Sequence, residues 1–153
     1  MEKTKQEHGK VEETAGFSKE ASVRYNNAAV STKHCIDICK FLKGKKPEQA
    51  IHELNEVLHM KKVIPMRNRE IPHKKGIPGR YPVKAAGMFV KLIRSLEANA
   101  NVKNMKAENI RLYAKADKAS QPHRPGRFRG RRFKRTHITI IGREVEEKSG
   151  EKK

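Results

Sequence analysis

Acidic residues are scarce where this chain can fold. Seventeen Asp and Glu stand against thirty-six Lys and Arg, a formal net charge of +19. Nine of the acids lie in the two ends, at Glu2, Glu7, Glu12, Glu13, Glu20, Glu144, Glu146, Glu147 and Glu151, so residues 21–143 keep only eight acids beside 29 Lys and Arg. Such a body repels itself unless a polyanion neutralises it. Long apolar runs are absent too. With no stretch of about twenty apolar residues, a membrane-spanning helix is excluded. No long amphipathic helix with an aromatic face supports binding to a membrane surface. Residues 1–19 mix Lys and Glu without an apolar centre, and are expected to form a mobile tail rather than a secretory signal.

Motifs for catalysis are missing. There is no glycine-rich phosphate loop followed by Lys-Ser or Lys-Thr, no Gly-x-Ser-x-Gly and no His-Glu-x-x-His. The seven His are scattered without ligand spacing, and the few body acids are isolated, so no carboxylate cluster exists for a metal-dependent nuclease. His137 alternates with Ile138 in a strand-like run and reads as an ordinary cross-strand residue. Cys35 and Cys39 are the only cysteines. Their spacing puts both on one helix face, where they read as small buried hydrophobes. A metal would need two further ligands, and a disulfide across one helical turn is geometrically disfavoured. No cofactor, metal site or enzymatic activity is expected.

What is present is organised around residues 109–145. Ile110, Leu112, Ala114 and Ala116 fall on every second position, the period of a half-buried strand. His137–Ile141 is a second β-rich run. Between them, Lys118–Thr136 contains no acid and eight Lys or Arg: Lys118, Arg124, Arg127, Arg129, Arg131, Arg132, Lys134 and Arg135. Two antiparallel strands joined in this way make a long basic hairpin, whose arm from Ile110 to Gly126 would reach on the order of 50 Å if fully extended. Such a ribbon cannot bury its own apolar surface in water. Arginine forks match phosphate oxygens, and Phe128 and Phe133 between them can stack on unpaired bases. Folded RNA, which offers crevices to a thin projection, fits better than a regular duplex.

Upstream, residues 21–29 predict a short edge strand around Val23, Arg24 and Tyr25. Ser31–Leu42 predicts a helix with Ser31 as N-cap, an apolar face of Cys35, Ile38, Cys39 and Leu42, and Gly44 just past its end. Lys43, Lys45 and Lys46 crowd that end and form a cationic corner suited to phosphate. Pro47–Met60 predicts a second helix, with a stripe of Ile51, Leu54 and Leu58 and Val57 beside it. Residues 61–82, rich in Pro and Gly, predict a long irregular loop whose Arg67, Arg69, Lys74, Lys75 and Arg80 order along a phosphate backbone. Val83–Ala100 predicts a third helix with Ala86, Phe89, Val90, Ile93, Leu96 and Ala100 on one stripe. The expected fold class is α+β: three helices packed on a small antiparallel sheet, with a long basic β-hairpin extension. The expected organisation is a flexible tail at 1–20, a single domain at 21–145 whose extension spans about 118–136, and a flexible acidic tail at 146–153.

Four stretches resemble the large-subunit ribosomal protein L twenty-two family. They are Ser31 with its helix and the exit Lys43-Gly44-Lys45-Lys46, Leu96-Glu97-Ala98-Asn99-Ala100-Asn101, Arg127-Phe128-Arg129-Gly130-Arg131, and Lys134-Arg135-Thr136-His137-Ile138-Thr139. The likeness runs from about Ala21 to Glu144. Val63-Ile64-Pro65 and Gly79-Arg80-Tyr81-Pro82 resemble the archaeal and eukaryotic branch. The resemblance implies a cytoplasmic protein of the large ribosomal subunit, in contact with ribosomal RNA and neighbouring ribosomal proteins. It also implies a hairpin that borders the peptide exit tunnel and meets the nascent polypeptide. By position, the tunnel tip falls at Pro122, His123, Arg124, Pro125, Gly126 and Arg127. The competing readings from charge alone are a nucleoid- or chromatin-binding protein and an RNA-processing enzyme.

Overall fold

Residues 110–118 and 136–145 alternate in burial as a sheet covered on one face requires. Ile110 and Leu112 on one strand and Thr136, Ile138, Ile140 and Gly142 on the other point inward. The structure is a computed structural model and describes residues 17–66 and 79–145. Its elements in chain order are β1 (Phe17–Ala28), α1 (Thr32–Leu42), α2 (Pro47–Leu58), β2 (Ile64–Pro65), β3 (Gly79–Arg80), α3 (Val83–Val102), β4 (Ile110–Lys118) and β5 (Thr136–Val145). Short 3-10 turns occupy Ala107–Asn109 and Gly126–Phe128. Three helices on a small antiparallel sheet confirm the α+β expectation.

The sheet order is β1-β5-β4, all antiparallel. The β4–β5 ladder runs without a slip from Ile110 opposite Glu144 to Lys118 opposite Thr136. β1 is longer than its weak alternation suggests, and residues 17–20, assigned from sequence to the tail, belong to it. Its pattern is blurred because its core positions are partly small and its register shifts between Tyr25 and Ala28. Asn27 there adopts φ 60°, a left-handed conformation that Asn tolerates better than most residues.

α1 packs on β4, α3 packs on β1 and β5, and α2 leans mainly on α3. The fully buried core includes Ile38, Leu42, Leu54, Phe89, Ile93, Leu96, Ile110, Leu112, Ile138 and Ile140. All six residues of the expected α3 stripe are buried. The α2 stripe is corrected: Ala50, Leu54 and Val57 are buried, while Ile51 and Leu58 are only partly so. α2 meets a neighbouring helix more than the sheet, so the face it buries is set by α3. The helix also ends at Leu58 rather than Met60.

The link from α1 to α2 explains the Lys-Gly-Lys-Lys run structurally. Gly44 takes φ 78°, a conformation glycine reaches at little cost. Its N–H donates to the Leu112 carbonyl at 2.8 Å, and Leu112 N–H donates to the Lys45 carbonyl at 3.0 Å. The link therefore caps part of the open edge of β4, which would otherwise present unpaired backbone groups. In the proline-rich loop, β2 and β3 pair and close its base, with Ile64 and Met66 buried. Its ends are thus anchored rather than irregular.

Candidate nucleic-acid interface

The excursion between β4 and β5 starts from a firmly held root. Thr136 is fully buried, and its hydroxyl donates to the Val30 carbonyl at 3.0 Å. Thr32 Oγ1 lies 2.8 Å from Thr136 Oγ1, so the start of α1 is tied to the start of β5. Beyond the last ladder pair, Ala119 N–H donates to the Arg135 carbonyl at 3.2 Å and Phe133 N–H to the Pro122 carbonyl at 2.9 Å. His123 bridges to Arg132, and Arg124 N–H donates to the Arg131 carbonyl at 3.0 Å. Regular strand pairing thus stops at Lys118 and Thr136, and the remainder is a loosely paired, proline-bearing loop closed by its own backbone.

These bonds fix where the loop turns. Residues 125–130 lie inside the Arg124–Arg131 bond, with the 3-10 turn at Gly126–Phe128 and Gly126 at φ 64°. The turn overlaps the second half of the stretch from Pro122 to Arg127. Pro122 and His123 are arm residues because Phe133 and Arg132 lie across from them.

Its cations are available. Lys118, Arg124, Arg127, Arg129, Arg131, Arg132 and Lys134 are exposed and Arg135 is half-buried. Among the described residues, none of these eight pairs with a carboxylate. Three of them lie over aromatic rings instead: Arg124 stands 5.2 Å from the Phe133 centroid, and Arg127 and Arg131 stand 5.1 and 5.8 Å from that of Phe128. Both phenylalanines are themselves exposed. Phosphate oxygens and stacked bases are the partners such an array can take.

The cationic corner divides. Lys43 is exposed and Lys46 half-buried. Lys45 is engaged within the fold, where it ion-pairs with Glu53 and stands 3.5 Å over the Phe41 ring. Lys62 reaches the other Glu53 oxygen at 3.0 Å. Burial works to raise the Glu53 carboxyl, but Lys45 and Lys62 outweigh it and hold it below the usual range. Arg80 is half-buried in β3, whereas Arg67, Arg69, Lys74 and Lys75 lie outside the described residues.

Sequence reasoning passed over a second basic surface, the face of the sheet that the described helices leave open. Arg111, Tyr113 and Lys115 of β4 lie there beside Arg143 of β5, which stands 5.3 Å over the Tyr113 ring and 2.7 Å from a Glu20 oxygen. The polar alternates of β4 were the available signal. Cys35 and Cys39 are free and buried, and burial pushes both thiols up to about 12. They are protonated and packed, not thiolate ligands. Among the described residues, no three His, Cys, Asp or Glu side chains gather to hold a metal, and no helix is long and apolar enough to cross a membrane.

No family model matches the chain. Curated relatives do. The chain is 33% identical over 133 residues to the large ribosomal subunit protein uL22 of Methanoregula boonei, covering 78% of this chain and 86% of the relative. It is 36% identical over 137 residues to that of Methanoculleus marisnigri, covering 82% and 90%. It is 34% identical over 136 residues to that of Thermofilum pendens, again covering 82% and 90%. Likeness of this extent, on a three-helix and antiparallel-sheet body carrying an acid-free basic loop, shows that the chain belongs to the large ribosomal subunit protein uL22 family, in its archaeal form.

Proposed function

We propose that this protein is a structural constituent of the cytoplasmic large ribosomal subunit, held by ribosomal RNA and adjoining other ribosomal proteins. In this reading it has no enzymatic role. The observation that carries the reading is the excursion from Lys118 to Arg135. Its cations have no carboxylate partners among the described residues, and its exposed phenylalanines sit within them. The buried Thr136–Val30 root holds that array on a packed body, so the binding segment projects from a rigid base.

The tip, Pro122 to Arg127, borders the peptide exit tunnel and meets the nascent chain, while its arginines and the flanking cations Lys118, Arg129, Arg131, Arg132, Lys134 and Arg135 hold RNA. Arg67, Arg69, Lys74, Lys75 and Arg80 add phosphate contacts when the subunit assembles. The test is sedimentation. After a high-salt wash, the protein should remain with large subunits, and crosslinks from the turn should reach stalled nascent chains. Release from subunits together with equal affinity for duplex DNA and ribosomal RNA would support the nucleoid-binding alternative instead.

A further inference from the structure

The ends of two helices and the root of the excursion enclose a cleft. Ser31 and His34 come from the start of α1, Tyr81 and Lys84 from the start of α3, and Phe133 and Lys134 from the returning arm. The cavity is about 540 Å³, within the range of small-molecule sites. Its wall carries Lys84, Arg124, Lys134 and Arg135 and no carboxylate. The Arg135 Nε is buried without a hydrogen-bond partner. Neither α1 nor α3 has a side-chain cap on its first-turn amides, so both present partial positive charge. Apolar, planar surface completes the wall: Tyr81 is 43% exposed, Phe133 is 40% exposed, and Val30, Pro82 and Ala85 line the cavity beside them.

We propose that this cleft takes one unstacked nucleotide of a single-stranded RNA segment. The phosphate lies among Lys84, Lys134 and Arg135, and the base lies against Tyr81 and Phe133. A free anion would use the cations but not the rings, and an apolar peptide would leave the cations unmatched. A nucleotide uses both. Arg124 already stacks on Phe133, and a base placed on that ring continues the stack. The cleft also explains why the excursion's root is tied to the start of α1, since the Thr32–Thr136 contact sets the spacing of its walls. This proposal rests on the RNA-binding reading and narrows it to one subsite.

The probe is a single-stranded hexaribonucleotide with one central 2-aminopurine, titrated by fluorescence against the full chain. Binding should quench the 2-aminopurine. Tyr81→Ala and Phe133→Ala should each weaken binding about tenfold, the loss of one base stack. Tyr81→Phe should bind as the parent does. Tyr81 lies outside the excursion, so binding by loop charge alone predicts no effect of Tyr81→Ala. Both positions are exposed, and thermal melts matching the parent's would confirm that the variants fold. Parent-like binding by Tyr81→Ala would overturn the proposal, as would failure of the parent to bind the hexamer. Equal competition by the same strand in a duplex would also overturn it. Displacement by an oligoglutamate peptide at equal concentration would reassign the cleft to an acidic protein segment. Sedimentation with large subunits separates the two levels. Retention of the parent on subunits beside an unaffected Tyr81→Ala sinks only the cleft, whereas loss of the parent from subunits sinks the ribosomal reading.

Discussion

A methyl group at position 142 would stand 2.9 Å from Ile110 Cγ2 and 3.2 Å from Leu96 Cδ2. Both neighbours are buried, so neither can swing into solvent. Replacing a strand glycine by alanine gains about 0.5–1 kcal/mol from the unfolded chain's lost freedom. Overpacking costs about 1–3 kcal/mol. The second effect is the larger, and Gly142→Ala should destabilise by about 1 kcal/mol, read as a lower urea midpoint at unchanged m-value. A raised midpoint would mean that α3 can back away from the sheet. Glu53 gives a second prediction. Its folded carboxyl is held below the usual range by Lys45 and Lys62, which outweigh the opposing effect of burial. The group binds protons more readily unfolded than folded. Its contribution is therefore complete above the unfolded value of about 4.3 and fades as pH falls through the lower folded value. Glu53→Gln should melt below the parent at neutral pH, and the gap should close as the solution is acidified. A gap that persists at the acid end would point to packing by the Glu53 stem rather than to its charge.

Among the elements, the body and the excursion divide the work of folding and binding. Apart from Ala119, no residue of the excursion from 119 to 135 is buried. Ala119 and Arg135 already face each other across a backbone hydrogen bond. Replacing residues 120–134 by Asn-Gly, a turn suited to two-residue hairpins, should leave a cooperatively melting protein. Loss of the thermal transition in this variant alone would show that the excursion supports the core. The elements legible from sequence were those with a strong period: α3 through Phe89, Ile93 and Leu96, and β4 through Ile110 and Leu112. β1 was legible only in part: the edge strand expected at 21–29 is there, but its start at Phe17 was missed, because Ala21 and Val23 carry little apolar contrast and Tyr25, in the same register, is exposed. The α2 face was misjudged by about one residue, since periodicity names a stripe but not the partner that selects its edge. The basic excursion was legible because charge is local in sequence. The cleft was not, because Ser31, Tyr81 and Phe133 become neighbours only through the packing of α1, α3 and the root of β5.

Across the whole molecule, net charge and placed charge are different claims, and salt separates them. Arg127, Arg129, Arg131 and Arg132 are exposed on the loop, without carboxylate partners among the described residues. Changing all four to Ala should lower the salt slope of log affinity for folded ribosomal RNA by about 3, taking roughly 0.7–0.9 per phosphate contact. A fair control removes the same charge from the body. Lys45 is unsuitable because its pairing with Glu53 and Phe41 supports the fold. Lys33, Lys40, Lys61 and Lys91 are exposed and serve instead. Their removal should weaken ribosomal RNA and random duplex to similar extents, since a solvated body charge contributes by proximity alone. The loop variant should lose more on folded RNA than on duplex, because only folded RNA surrounds a projecting segment. Both variants have the same net charge, so differing losses measure position. Equal losses on both ligands would remove the excursion from its special role and favour a general polyanion binder.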